Sequence, residues 1–288
     1  DASGTTDSEG KILPEGKEHN PSDDIKFLEN ELNKWYYNIL IKVWRSFTRR
    51  TEHEGLKFSE SVTKQFSGLK VTEEEIKTVL LKLNLPEKSS SWNNDQIMEF
   101  ASELRKESKP MIIVLNKVDT KKGRENYLKI KEEYSDLIII PCSADSELAL
   151  REATKNNLIE YIPGEKDFEI KGELTEKQKE GLKKIKENVL DKFEFGTGVQ
   201  EVLNKAVFEL LGYIAIFPAS ANKLEDSKGN ILPDCFLLPP KSTALDFAYF
   251  LHTDFGENFI KAIDVRSKKA VGKKYELKNR DALEIVTR

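Results

Sequence analysis

The 288 residues predict an α/β domain interrupted by helices, followed by a small α+β module at the C-terminal end. Three observations carry that prediction. Two short β-branched runs, at 111–115 and 138–141, each end directly in a polar loop, as fully buried strands do where they leave an α/β sheet. Between 23 and 107 apolar residues recur at three- and four-residue steps, the period of amphipathic helices. From 213 onward the pattern changes to short strands and turns around one helix.

Taken in order, residues 1–22 are rich in Gly, Ser, Asp, Glu and Pro and read as the end of a strand followed by an exposed loop. Asp23 is placed to cap a long helix in which Ile25, Leu28, Leu32, Trp35, Ile39, Val43 and Phe47 form one stripe over about six turns. Thr72 and Glu75 make a capping box, followed by Ile76, Val79, Leu80 and Leu83 on one face. A further helix from about Asn93 to Glu107 presents Ile97, Phe100, Ala101 and Leu104. Residues 23–107 are therefore read as a helical insertion.

Residues 108–212 complete the α/β domain. After the strand at 111–115 comes a helix at 124–134, then the strand at 138–141 and a short helix at 147–156. Thr175 and Gln178 form a second capping box, opening a charged helix that ends near Phe193. Gly196-Thr197-Gly198 reads as a helix break, 199–211 as a last apolar helix, and Gly212 as its stop. In 213–288, strands are expected at 213–217, 235–238, 259–265 and 283–286, with turns at Ser227-Lys228-Gly229-Asn230 and Pro239-Pro240. Thr243 and Asp246 open a helix carrying Leu245, Phe247, Ala248 and Leu251. Strands packed on a single helix suggest a β-grasp, ubiquitin-like module.

The first strand leads into Asn116, Lys117 and Asp119. Loops at such strand ends are where α/β folds bind ligands. The guanine edge offers two adjacent N–H donors, N1 and the exocyclic N2, beside the O6 and N7 acceptors. One carboxylate, Asp119, accepts from both donors; Asn116 braces the loop and faces the acceptor side; the aliphatic stem of Lys117 lies along the ring. Adenine has a lone pair at N1 and would be repelled. Ser143 and Ala144, after the second strand, resemble the small Ser-Ala turn that in guanine-nucleotide-binding proteins brings a backbone N–H onto O6, where bulky side chains would block the approach. Strand, Asn-Lys-x-Asp, helix, strand and Ser-Ala together resemble the base-recognition half of a P-loop GTPase domain.

Composition sets the bounds. A charged fraction of 33% with a net charge of −4 describes a well-solvated surface and argues against a globally basic nucleic-acid binder. No run approaches the roughly 18 apolar residues that span a membrane, and nothing at the start resembles a signal peptide. Cys142 and Cys235 lie far apart in contexts that read as buried, suggesting neither a disulfide framework nor a zinc site. A cytoplasmic protein fits these features best. His252 reads as a structural residue at a helix end, and His19 and His53 have no partners for a metal site. No catalytic residue and no metal ligand is assigned.

Nowhere do the 288 residues contain Gly-x-x-x-x-Gly-Lys-Ser/Thr, the loop that cradles phosphates and places a hydroxyl on Mg2+. The C-terminal module nevertheless carries a long specific pattern: Phe236-Leu237-Leu238-Pro239, Ser242 to Ala248, His252 to Gly256 and Phe259 to Ile263. On these residues 213–288 resembles a TGS domain. The whole chain is similar to the C-terminal two-thirds of an Obg-related GTPase of the YchF type, particularly its archaeal branch. That resemblance implies that Asp1-Ala2-Ser3-Gly4 ends the strand after the second switch, and that the phosphate loop, both switches and the Mg2+ site lie upstream. This chain alone is then not expected to hydrolyse GTP. Bacterial and eukaryotic YchF proteins typically replace the Asn-Lys-x-Asp pattern and favour ATP; retention of Asp119 implies GTP and GDP as ligands here.

The resemblance further implies a nucleotide-dependent switch associated with ribosomes and translation, with ribosomal RNA as a partner and neither a membrane nor DNA expected. Arg266, Lys268, Lys269, Lys273 and Lys274 crowd a short hairpin after Ile263 and are candidate RNA contacts, or else an edge guard for the sheet. The alternative function is a non-catalytic module that binds RNA or protein through its TGS domain. A fragment of a TGS-bearing synthetase or stringent-response enzyme leaves no room for Asn116 to Asp119 ahead of the module.

Overall fold

The computed structural model describes residues 1–7, 9–86, 88–220, 229–231 and 234–288. The chain divides into two compact units, Asp1–Val202 and Leu203–Arg288, ten residues before the boundary expected at 212. Among the described residues no helix is long and apolar enough to cross a membrane.

The first unit opens with a segment that is less exposed than its composition suggests. Ala2, Ser3 and Gly4 are buried, and the N–H of Ala2 donates to Asn116 O at 2.9 Å. Helix α1 (Pro21–Ile41) starts earlier than expected, because Asn20 rather than Asp23 accepts the capping bond, from Ser22 N, and Pro21 takes the first turn where no N–H is needed. The expected six-turn helix is two helices: the chain kinks at Lys42–Val43 and resumes as α2 (Trp44–His53). Its buried seam also differs from the apolar stripe. Ile25, Tyr36 and Leu40 point inward, while Leu28 and Trp35 are half exposed. Arg105 on the facing helix is buried, and its guanidinium donates to Asn33 Oδ1 and Glu29 Oε1, so two polar residues occupy the inner face of α1. A buried cation must be hydrogen-bonded. That demand, made from 72 and 76 residues away in sequence, rotates the seam.

Helices α3 (Phe58–Gln65), α4 (Glu73–Lys82) and α5 (Asn94–Ser108) close the insertion. The Thr72/Glu75 box forms in both directions, and Asn93 with Gln96 makes another at the start of α5. Ile76, Val79, Ile97, Phe100, Ala101 and Leu104 are all buried as expected, in a core that also holds Trp44, Phe47 and Trp92.

Strand β1 (Ile112–Asn116) runs parallel to β2 (Ile138–Cys142), in register Ile112↔Ile138 through Asn116↔Cys142, with α6 (Lys121–Glu133) as the crossover. β1 is less buried than its sequence suggests. Only Leu115 is fully covered and Val114 is 40% exposed, because β1 has a single ladder partner among the described residues. Helix α7 (Ala144–Lys155) begins three residues earlier than expected. A small antiparallel pair, β3 (Ile159–Glu160) with β4 (Glu169–Ile170), follows, then α8 (Glu176–Ile185) behind the Thr175/Gln178 box. α8 continues into a wider π-type turn at Lys186–Leu190, and α9 (Val199–Asn204) into another at Lys205–Leu210.

The second unit is a five-stranded mixed sheet in the order β6-β5-β9-β7-β8. Its strands are β5 (Ile214–Pro218), β6 (Phe236–Leu238), β7 (Phe259–Asp264), β8 (Ala270–Val271) and β9 (Ala282–Thr287). β5 is parallel to β9 and the other pairs are antiparallel. Helix α10 (Ala244–Leu251), opened by a complete Thr243/Asp246 box, drives Phe247 into a core with Ile216, Leu238, Ala262 and Leu283. A short α11 (Thr253–Glu257) follows, with His252 Nδ1 accepting from Asp254 N as its cap. This is the β-grasp expected. Ser227 and Lys228 of the expected turn at 227–230 lie outside the described residues. Cys142 is buried, but Cys235 is exposed, since it precedes β6 at the sheet edge.

Candidate guanine-recognition loops

The register of β1 on β2 places Asn116 opposite Cys142, so the two loops that follow leave the sheet side by side. Asn116 Oδ1 joins them. It accepts from Lys117 N at 2.9 Å and from Ala144 N at 3.0 Å, tying the first loop to the start of α7. Val118 N donates to Cys142 O at 3.3 Å, continuing the tie below the loops.

Asp119 Oδ1 accepts from Ser143 Oγ at 2.9 Å. Its other oxygen receives no hydrogen bond among the described residues. Lys117 sits at φ +68, a left-handed conformation that costs a non-glycine residue about 1–3 kcal/mol and persists only where the surroundings enforce it. Here the enforcement is visible: Lys117 O accepts from Thr120 N and Thr120 Oγ1, while its ammonium pairs with Asp1 Oδ2 at 2.9 Å. Asp1 is itself held by Ser3 N, Ser3 Oγ, Thr5 Oγ1 and Thr6 Oγ1. Thus Asn116, Lys117, Asp119, Ser143 and Ala144 are brought together at one end of the sheet. The Ala144 N–H donates to Asn116 Oδ1.

Beneath these loops lies a constellation that the sequence reading missed. Glu147, in the first turn of α7, is buried, yet its carboxylate accepts from Thr197 Oγ1 at 2.6 Å, Tyr161 OH at 2.8 Å and Arg151 Nε at 2.6 Å. Burial pushes its carboxyl up, but donation by Thr197, Arg151 and Tyr161 outweighs this and holds it below the usual carboxylate range. Burial and the bond to Glu147 push Tyr161 up to about 12, and burial with the Glu147 charge raises Cys142 to about 11. Gly196-Thr197-Gly198 is therefore more than a helix break. Thr197 O accepts from Ser143 N at 2.9 Å, and a Cβ on Gly198 would lie 2.0 Å from Pro141 O. The close approach of Gly198 to β2 could not be read from three residues with no visible partner.

The remaining candidates lie in the second unit. Arg266, Lys268 and Lys269 form the tight turn from β7 to β8, and Lys273 and Lys274 follow β8; all five are exposed. Arg266 donates to Arg280 O at 2.8 Å, and Lys268 occupies a left-handed turn position. β8 is one of the two edge strands of the sheet.

Residues 114–221 match the family described as Obg-like GTPase YGR210-like, G4 motif-containing domain, and residues 227–287 match the TGS domain. A GTP-binding protein of Methanocaldococcus jannaschii is 42% identical over 290 residues, covering 100% of this chain and 71% of its own length. The crystal structure of a GTP binding protein from Pyrococcus horikoshii OT3 superposes with a TM-score of 0.74 at 40% identity, over 100% of this chain and 77% of that one. The Schizosaccharomyces pombe YchF GTPase, at 17% identity and a TM-score of 0.52 over 98% of this chain and 70% of that one, shares the fold.

Gly123, in the first turn of α6, gives a direct check on how tightly the first loop is held. Gly→Ala within a helix ordinarily stabilises by about 0.8–1 kcal/mol. Here the added Cβ would lie 2.1 Å from Lys117 O and 2.8 Å from Thr120 Oγ1. Gly123→Ala is expected to destabilise the chain by about 1–3 kcal/mol, the cost of overpacking against backbone. Denaturant unfolding measures it, and a gain in stability would contradict the packing described.

Proposed function

The chain belongs to the Obg-like GTPase family, and from that premise we propose that its guanine nucleotide is read by Asn116, Lys117, Asp119, Ser143 and Ala144. One observation carries this reading: Asp119 stands half-buried in the loop that follows a parallel strand, with one oxygen held by Ser143 and the other receiving no hydrogen bond among the described residues. A carboxylate so fixed is pre-organised for the paired N1 and N2 donors of guanine, and its orientation is settled before the base arrives. The stem of Lys117, anchored at its tip by Asp1, forms the floor on which the ring lies. Asn116 joins the loops and offers its amide to the base's acceptor side.

In the complete protein we assign GTP hydrolysis to a phosphate loop, switches and Mg2+ site outside these 288 residues, since no Gly-x-x-x-x-Gly-Lys-Ser/Thr occurs within them and the chain spans 71% of the M. jannaschii relative. The loops described here supply base selection and no step on the γ-phosphate. In the complete protein Asp119→Ala is expected to weaken GTP binding by about 2–4 kcal/mol, because charge-assisted bonds are lost and guanine donors are left unpaired. Equal affinity of the unaltered protein for GTP and ATP would refute the assignment.

We also propose a cytoplasmic ribosomal partner that presents RNA phosphates to the cations between Arg266 and Lys274. Their clustering on an exposed turn, in a chain of negative net charge, supports this; their place at the edge strand β8 equally suits a guard against sheet-to-sheet pairing. Binding to ribosomal particles is expected to weaken steeply with salt. Changing Lys269, Lys273 and Lys274 to Ser should flatten the logarithmic slope by about 0.7–0.9 per contacting cation. Unchanged affinity and slope would leave the cluster as an edge guard.

A further inference from the structure

Ser143 departs from what its position favours. It is the N-cap residue of α7, where a serine hydroxyl ordinarily accepts from a first-turn N–H, yet it makes no such bond. Its hydroxyl donates instead to Asp119 Oδ1 and lies 2.7 Å from Ser146 Oγ, and the first N–H of α7 is satisfied from another loop by Asn116. A helix start that forgoes its own cap has been recruited to a different task, and local rules are most often broken at functional sites. Ser143 is held there both by the first turn of α7 and, from outside that helix, by Thr197. Its N–H donates to Thr197 O, its own carbonyl accepts from Glu147 N, and the hydroxyl of Thr197 donates to the buried Glu147 carboxylate.

From this chain of bonds we infer that Thr197 and Glu147 are positioning residues for base selection: they fix Ser143 so that its hydroxyl aims Asp119 at the base. The inference rests on the reading of Asp119 as the guanine acceptor. The centre of the bond set, Ser143, Glu147, Thr197 and Tyr161, is buried, while Arg151 reaches it from the surface. Thr197 is 1% exposed and Ser143 is 1% exposed, and Tyr161 and Arg151 complete the donors to Glu147, while Gly164 N donates to Tyr161 OH. Gly198, at φ +80 against Pro141 O, lets Thr197 reach across to the end of β2. A buried carboxylate is costly unless its donors are all present, so removing one donor moves the group it was holding. The displacement passes to Ser143 and from there to one oxygen of Asp119.

A purely structural role would lower all nucleotide binding together, whereas a positioning role alters how the base is discriminated. Inosine lacks the exocyclic N2 amino group, so the ratio of GDP to IDP affinity reads the second bond to Asp119. The 288-residue chain is titrated with millimolar GDP and IDP, following its amide NMR shifts, beside Asp119→Ala, Thr197→Val and Thr197→Ser. GDP is expected to bind more tightly to the unaltered chain, Asp119→Ala to bring the ratio to about one, and Thr197→Val to lower it by about threefold or more. Thr197→Ser, which keeps the hydroxyl, should hold the ratio within about twofold. Glu147→Gln should fall between them. A GDP preference that Asp119→Ala removes and Thr197→Val leaves intact would overturn this inference alone. No GDP preference in the unaltered chain, or one indifferent to Asp119→Ala, would overturn the base reading and this inference with it. Should Thr197→Val unfold, a Thr197→Ser or Glu147→Gln chain that retains its amide spectrum carries the same comparison: an unchanged ratio in Glu147→Gln counts against the inference.

Discussion

The parallel pairing of β1 with β2, ending with Asn116 opposite Cys142, is the constraint on which the site depends. A slip of one residue would turn every side chain of β1 to the other face of the sheet and carry Asn116 away from Ala144. With the register as it is, one amide oxygen bridges the two loops and the rest of the arrangement follows: Asp119 falls within reach of Ser143, and Lys117 within reach of Asp1. Crossover α6 is opened by Thr120, whose hydroxyl accepts from Gly123 N and donates to Lys117 O, so helix start and loop are fixed by the same group.

Around that constraint the site accumulates features that local preference disfavours. Lys117 is left-handed, Ser143 gives up its cap, Glu147 buries a charge, and Gly123 and Gly198 lie where no side chain fits. Each costs stability and each is compensated by bonds to the next, so the loops are held as a unit before any ligand arrives. The insertion behaves differently. Its core of Tyr36, Phe66, Phe100, Trp44 and Trp92 is filled by apolar and aromatic packing, and α4 and α5 start in ordinary capping boxes. There the departure from simple pattern is Arg105, which draws Glu29 and Asn33 to the inner face of α1.

Features encoded by neighbouring residues were legible in the sequence. The boxes at Thr72, Thr175 and Thr243 each place a hydroxyl and a carboxylate or amide three residues apart, and all three form. The strand ends were legible to within one residue, since the apolar runs at 111–115 and 138–141 give way to loops and the strands end at Asn116 and Cys142. Features encoded by distant partners were not. Nothing near Leu28 or Trp35 announces Arg105, nothing near Thr197 announces Glu147, and an exposed Cys235 follows from a sheet edge visible only once the strand order is known. The kink at Lys42–Val43 has no proline or glycine to mark it.

The central claim is that the carboxylate of Asp119 chooses the base in this Obg-like protein. Xanthine carries a carbonyl oxygen at C2 where guanine carries an amino group, so an amide at position 119 would turn a matched donor–acceptor pair into a mismatch for guanine and a match for xanthine. The most direct measurement is therefore the relative affinity of Asp119→Asn for GDP and XDP, set beside that of the unaltered chain. An inverted preference, XDP over GDP, is what the geometry predicts; a variant that still favours GDP would contradict it.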